Sequence, residues 1–553
     1  MEYEFDLGTL ERPITTSSPE AQAWFDRGLA WTYGFNHEEA IACFRKAASA
    51  DPNCAMAYWG ISYAAGPNYN KPWEAFDADE AAEAVAEAHR TARRAQELAP
   101  GCTSVEKDLI DALRQRYPSE VPAEDMCPWN DAYAAAMRSV NARHADDADV
   151  GALFAEALMN RTPWALWDLE TGEIPADADT AEARDVLERA MGRIADSGEN
   201  PHPGLLHMYI HLMEMSPFPE RALPACDQLR GLVPDAGHLQ HMPTHIDVLC
   251  GDYMSVITSN EEAIEADRRF LESAGPINFY TLYRCHNYHF KVYGAMFLGH
   301  YEAAISTSEE MNGTLPEELL RTQSPPMADW LEGFVPIKQH VLVRFGRWTD
   351  IIKQDLPRDQ ELYCVTTATM RYARAVAHAT LRQNSEAKRE AEAFDAALAA
   401  VPDTRYLFNN SCRDILAVAR EMMLGEIQYR LGDIDEGFAR LRAAVELDDG
   451  LPYDEPWGWM QPVRHALGAL LLEQGRVEEA EAVYRADLGF DRTLRRACQH
   501  PDNVWSLSGY HECLERLGKR DLAAIVRQRL KLARARADVP VKASCFCRLD
   551  ADH

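Results

Sequence analysis

One helical pattern recurs down this chain and narrows what it can fold into. In residues 21–54 (AQAWFDRGLAWTYGFNHEEAIACFRKAASADPNC), Trp24, Gly28 and Trp31 fall on one helical face. After a short turn, Ala40, Phe44 and Ala47 fall on another, and Pro52 closes the unit. A large–small–large face lets one helix receive the next around its small residue, and neither helix can bury its apolar stripe alone. Such a unit is stable only when stacked on copies of itself.

Further anchors of the same kind follow at 55–66, 81–98, 218–234, 251–264, 299–306, 345–352, 431–447, 474–488 and 518–530. Most join a Gly-containing turn to a helix of small residues, so roughly eight to ten hairpins are expected over most of the chain. No stretch shows period-two alternation, so strands are not expected. The 34-residue unit and its residues resemble the tetratricopeptide repeat. The resemblance implies an all-α solenoid of helix–turn–helix repeats, an α–α superhelix able to curl around a central pocket. The expected organisation is an N-terminal extension (1–20), N-terminal repeats with inserted loops (21–200), histidine-rich repeats (201–345), C-terminal repeats (346–536) and a tail (537–553).

Composition limits the partners. With 88 acidic against 56 basic residues the net charge is −32, and such a surface repels phosphate backbones and anionic lipid. Nucleic acid and membrane are therefore not expected partners. The start, MEYEFDLGTLERP, lacks the basic segment and apolar core of a secretory signal, and no apolar run reaches membrane-spanning length. The 13 cysteines are scattered within helical patterns, as reduced thiols are, so a cytoplasmic location is expected. No Walker A loop, GxSxG elbow or dinucleotide fingerprint is present.

Seven of the 18 histidines lie between positions 207 and 289. His207 and His211 are four apart, as are His241 and His245, and the second pair follows the first by one 34-residue period. Residues at i and i+4 share a helix face, about 5–6 Å apart at Cβ. If the repeat resemblance holds, His207, His211 and Glu214, then His238, His241 and His245, then His286 and His289, occupy groove positions of three successive first helices. Imidazoles on packed helices can converge on one ion at about 2.0–2.1 Å. A nitrogen-rich set suits copper, iron or zinc, one or two ions per chain, and not calcium or magnesium. Pro243 belongs in a first helical turn, so a helix is expected to begin near Met242, leaving His238 and His241 on its approach.

Other residues are candidates for a substrate pocket: Asn68 on the GPNYNKPW loop, Trp164, Trp167 and Asp168 on the connection 162–179, then Asn287 and His340. For each, ordinary turn chemistry or packing is the competing reading. His37 reads as a surface turn residue too far along the array to reach the histidine segment. Cys545 and Cys547, too closely spaced for a structural zinc half-site, read as a redox or metal-loading pair or as loose tail residues.

The segments HPGLLHMYIHLMEMSPFPERAL, AGHLQHMPTHIDVLCGDY and CHNYHF resemble a group of bacterial tetratricopeptide proteins carrying HxxxHxxE and GHLxHMPxHI motifs. FNHEEAIACFRKA, AYWGISYAAGPNYN and PWALWD look like the same group. The resemblance implies that His207, His211, Glu214, His238, His241, His245, Asn287 and His289 form one site, and it implies no particular reaction. The function expected is a copper- or iron-dependent oxidoreductase acting on a small molecule or short peptide. A zinc hydrolase with Glu214 as general base is the next reading. A cytoplasmic scaffold holding a peptide or protein partner in its groove is the non-enzymatic alternative.

Overall fold

The first hairpin folds as its spacing requires. In the computed structural model, which describes residues 3–549, helix α1 (Pro19–Tyr33) starts at Ser18, whose hydroxyl accepts from the Ala21 N–H. Pro19 sits in the first turn, where its missing N–H costs nothing. Helix α2 (His37–Ala50) starts at Asn36, whose side chain accepts from the Glu39 N–H. Trp24, Phe25, Trp31, Ala40, Phe44 and Ala47 are all buried. The Phe44 ring fills the space left by two glycines. A Cβ on Gly28 would lie 2.6 Å from it, and one on Gly60, in α3 (Ala55–Ala65), 2.5 Å from it. One aromatic ring thus joins the first hairpin to the second.

The same construction continues. Next come α4 (Ala78–Leu98), α5 (Ser104–Arg116), α6 (Cys127–Arg143), α7 (Ala148–Met159), α8 (Thr180–Ser197), α9 (Pro203–Glu214) and α10 (Leu223–Leu229). The histidine-rich part holds α11 (Gly237–His241), α12 (Pro243–Cys250), α13 (Tyr253–Ala274) and α14 (Tyr280–Leu298). The break between α11 and α12 falls at Met242, as Pro243 demands. The pairs α5/α6 and α7/α8 supply hairpins for which the sequence offered no anchors. The expected second helix at 218–234 is a 3₁₀ turn (Pro219–Ala222) followed by the two-turn α10, not one continuous helix.

The chain divides into two compact units. One comprises residues up to Ile246 together with Glu262–Tyr280. The other comprises Asp247–Glu261 and everything from Thr281 onward.

In the first unit the order of the array does not set its contacts. The Tyr33 ring packs against Gly204 of α9, where a Cβ would lie 2.5 Å away. The Tyr33 hydroxyl donates to Asp149 at 2.6 Å, and Asp149 also meets His202 (3.0 Å) and Arg12 (2.6 Å). This buried node ties the N-terminal extension and α1 to α7 and α9. Burial alone would raise the Asp149 carboxyl, but the bond and charge of His202, with Arg12, outweigh it and hold the group well below its ordinary value.

In the second unit the hairpins continue with α15 (Tyr301–Gly313), α16 (Glu317–Leu320), α17 (Met327–Leu331), α18 (Ile337–Arg344), α19 (Trp348–Lys353), α20 (Cys364–Thr380) and α21 (Asn384–Ala400). The last are α22 (Cys412–Leu431), α23 (Ile434–Asp449), α24 (Val463–Glu473), α25 (Val477–Asp487), α26 (Val504–Arg516) and α27 (Arg520–Arg536). One small antiparallel hairpin, β1 (Tyr406–Leu407) with β2 (Asn410–Ser411), departs from the strand-free expectation. The tail as far as residue 549 is not loose. Ser544 is hydrogen-bonded to Tyr484 (2.6 Å) and to the His465 carbonyl (2.7 Å), Phe546 lies against Trp505, and Cys545 and Cys547 are buried and joined as a disulfide. Among the described residues no helix is long and apolar enough to cross a membrane.

Two outcomes follow from these contacts. Gly60→Ala should lower stability by about 1–3 kcal/mol in urea denaturation, because Phe44 must move; Gly101→Ala, with nothing within 4 Å, should leave it unchanged. The Asp149 carboxyl lies lower in the folded chain than its ordinary value of about 3.9, so it stabilises the fold above that pH and ceases to as pH falls through and below it. Asp149→Asn should therefore be clearly less stable than wild type at pH 7, with the gap narrowing as the pH drops below about 4.

Candidate metal centre

Helix α9 carries the first histidine pair inward. His202 caps it, its Nδ1 accepting from the Leu205 N–H at 3.2 Å, and Pro203 occupies the first turn. Every residue from Pro203 to Glu214 is buried, so the face carrying His207, His211 and Glu214 has no route to water. The short α11 brings His238 and His241, and α12 brings His245. His207, His211, His238, His241, His245 and Glu214 are each at most 1% exposed. All six belong to the first unit.

The hydrogen bonds select which nitrogens remain available. His207 Nδ1 lies 2.7 Å from the Tyr33 carbonyl oxygen. His211 Nδ1 lies 3.0 Å from Glu214 Oε1, and His245 Nδ1 lies 2.6 Å from Glu214 Oε2. Burial pushes His207 well below the ordinary histidine value, with the nearby His211 adding to it, and pushes His211 down to about 3. Both rings are therefore neutral, with a single N–H each. A carbonyl or carboxylate oxygen can only accept, so that N–H is at Nδ1 and the lone pair is at Nε2. His207 Nε2 and His211 Nε2 are buried and have no hydrogen-bond partner.

Two groups of donor atoms gather here. Ligand atoms of His207, His211 and His238 lie within 4.8 Å of one another, as do those of His211, Glu214 and His245. His241 Nε2 and His245 Nε2 are 2.7 Å apart. With His245 Nδ1 donating to Glu214, a neutral His245 accepts at Nε2 a hydrogen bond from the His241 ring. Glu214 is thus engaged on both oxygens by imidazole N–H groups, the arrangement in which a carboxylate fixes ring orientation and tautomer.

An aromatic shell closes over the first triad. The Phe35 ring centroid lies 4.5 Å from His207, and the ring stacks on His211 (5.9 Å) and His238 (5.6 Å). Phe35 adopts φ +55°, in the left-handed region, which turns its ring inward. Tyr69 lies 4.9 Å from His211, and Trp164, also at positive φ, lies 6.1 Å from it. The His238 backbone N–H donates to the Tyr280 hydroxyl (3.1 Å), which donates to Asp267 (3.1 Å).

The other sequence candidates are placed as follows. Trp164 joins the site, whereas Trp167 packs on Phe218 and donates its indole N–H to the Leu212 carbonyl at 2.7 Å. Asp168 accepts from the Glu170 and Thr171 N–H groups and shapes its own loop. Asn68 lines a cavity of about 210 Å³ beside the Phe35 turn. His37 corrects an expectation: it is not a remote surface residue. It lies between Phe35 and Tyr63 and is held down to about 3 by burial, then by Arg116. His286, Asn287, His289 and His340 are buried in the second unit. There His286 packs on Phe290 and Phe408, and His289 and His340 line a small cavity of about 20 Å³ with Phe334 and Trp459. Phe35, Tyr69, Tyr280 and the Tyr33 carbonyl were not anticipated. A lone Phe between Gly34 and Asn36 in a tight turn was the one available sign.

This is a helical-hairpin repeat protein with a buried imidazole cluster. Residues 21–54 match the family model described as "Tetratricopeptide repeat". By that match the first hairpin, α1–α2, is a tetratricopeptide-type repeat. No curated protein matches it. Among solved structures it is similar to a chain of "Structure of Naa15/Naa10 bound to HypK-THB", at 13% identity and TM-score 0.22, covering 93% of this chain and 70% of that one. It is also similar to a chain of "Crystal structure of APC/C hetero-tetramer Cut9-Hcn1", at 11% identity and TM-score 0.30, covering 93% of this chain and 87% of that one.

In metal-stripped protein with ¹⁵N-labelled histidine, His207, His211 and His245 should show the Nδ1–H tautomer. Glu214→Ala should scramble the pattern at His211 and His245 and leave it at His207, which relies on a backbone oxygen.

Proposed function

We propose that the protein is a transition-metal enzyme whose ion is held by His207 Nε2, His211 Nε2 and a ring nitrogen of His238. The carrying observation is the pair of buried, unpartnered Nε2 atoms on rings whose other nitrogens are already committed. A buried polar atom left unpaired costs about 1–3 kcal/mol, and an ion supplies the missing partner for both. The residues fit such an ion. A tetrahedral site with 2.0–2.1 Å bonds needs nitrogens about 3.3 Å apart, and side-chain rotation can close that from the observed spread.

Three protein donors leave a coordination position open, as catalytic sites do and structural sites do not. When bound, the ion would supply Lewis-acid or redox chemistry there. Neutral imidazoles without thiolate suit copper, iron or zinc, and copper or iron oxidoreductase chemistry is the reading adopted here. Zinc hydrolysis fits less well, because Glu214 is tied to two imidazoles and is poorly placed to take a proton from water. In this reading Glu214 is a positioning residue. Phe35, Tyr69 and Trp164 exclude water from the centre, and Phe35 and Tyr280 separate it from the cavity through which a small molecule would approach.

Elemental analysis of protein purified without an affinity tag tests the proposal. About one equivalent of copper or iron is expected, lost in His211→Ala while helicity is retained. Glu214→Gln should weaken metal affinity by about 10–100-fold. A chain that takes up no copper, iron or zinc would instead be a repeat scaffold for a protein partner, the reading favoured by the repeat match alone.

A further inference from the structure

The cavity beside the centre has a chemistry of its own. Phe35 belongs both to its lining and to the shell around the imidazoles, and Tyr280, also in the lining, takes the His238 backbone N–H. Four carboxylates, Glu38, Glu80, Glu83 and Glu87, also line it. Lys71 also lines it, only 9% exposed. Its ammonium lies 4.4 Å from the ring centroids of both Phe76 and Phe279 and is ion-paired with Glu80. The molecule has thus placed its own ammonium in a cage of two aromatic faces and a carboxylate, an arrangement that binds organic cations.

A second polar group points to the rest of a ligand. Asn36 lines the same cavity, is 1% exposed, and has an Nδ2 with no hydrogen-bond partner, its oxygen being used to cap α2. A buried amide donor without a partner calls for an acceptor oxygen. Lys71 sits on the short Asn68–Lys71 turn, closed by reciprocal backbone bonds of 3.1 and 3.0 Å, so its long side chain can leave the cage without disturbing a helix.

We propose that this cavity is the substrate chamber, and that it takes a small organic ammonium compound bearing an acceptor oxygen. The ligand's charged group replaces the Lys71 ammonium between Phe76, Phe279 and Glu80, and its oxygen accepts from Asn36. Lys71 is then a tethered competitor that fills the cage when no ligand is present. The term substrate rests on the metal-enzyme reading; the binding does not.

Calorimetric titration of the full chain tests this, with glycinamide (ammonium and carbonyl), methylammonium (charge alone), acetamide (carbonyl alone) and trialanine amide (a peptide amino terminus). Glycinamide should bind more tightly than methylammonium, and acetamide should not bind. Glu80→Gln should weaken glycinamide by about tenfold, as loss of a charge-assisted partner does. Lys71→Ala should tighten it by about fivefold, because the competitor is gone. Binding of trialanine amide marks peptide amino termini as the source of the ligand, and its exclusion marks free amines. Loss of glycinamide binding in Lys71→Ala, or no binding to wild type or to that variant while their circular dichroism is intact, overturns the proposal. The same titrations on His211→Ala separate the two readings. Ammonium binding that persists in a chain never found to hold metal keeps the chamber and removes the enzyme.

Discussion

The hydrogen bond from His207 to the Tyr33 carbonyl is the constraint on which the rest of the site depends. It joins the end of the first helix to the ninth. It commits one imidazole nitrogen, leaves the other buried without a partner, and brings Phe35 over three rings. The buried Asp149 node and the contact of Tyr33 with Gly204 hold the same junction from the other side. A chain of stacked hairpins without this closure would leave the His207 and His211 face of α9 open to water, where imidazoles are ordinary polar groups. Closed, the same rings lose their solvation and keep their lone pairs.

Much of the architecture could be read from the sequence because hairpin packing leaves a periodic trace. Trp24, Gly28, Trp31, Ala40 and Phe44 mark helix faces at fixed intervals, and Pro243 marks the break before α12. The pairing of His207 with His211 and of His241 with His245 was legible for the same reason: i and i+4 share a face whatever lies opposite. What lies opposite was not legible. The Phe35 turn is separated from α9 by well over a hundred residues, and a regular array would have kept them apart. Closure of the first unit depends on Tyr33, Asp149, His202 and Arg12 meeting in space, a constellation with no sequence period. Trp164 and Trp167 show the limit at close range. Three residues apart on one loop, they end on the centre and on Phe218 respectively, with Trp164 at positive φ in the turn closed by the Ala165 N–H to the Thr162 carbonyl.

Glu214 illustrates how position recasts chemistry. A carboxylate three residues after a histidine on a helix suggests a ligand or a base. Here both of its oxygens accept from imidazole nitrogens of different helices. Its oxygens are spent on orientation, and the atoms left without a hydrogen-bond partner are His207 Nε2 and His211 Nε2. An all-imidazole face with an acidic brace behind it has a different affinity for metals from a mixed nitrogen–oxygen face, although both would be written with the same letters.

The first unit is also discontinuous, since it needs residues up to Ile246 and then Glu262–Tyr280. Hairpins can pack one after another as a chain leaves the ribosome, and N-terminal elements generally fold first. The imidazole cluster cannot follow that schedule. Its lid is made with the first repeat, its donors come some two hundred residues later, and the Tyr280 hydroxyl that takes the His238 amide comes last. About half of the 553 residues must be synthesised before the pocket is whole. During translation the rings stay open to water until the last of these segments is made, so their burial depends on the order of synthesis as well as on the finished geometry.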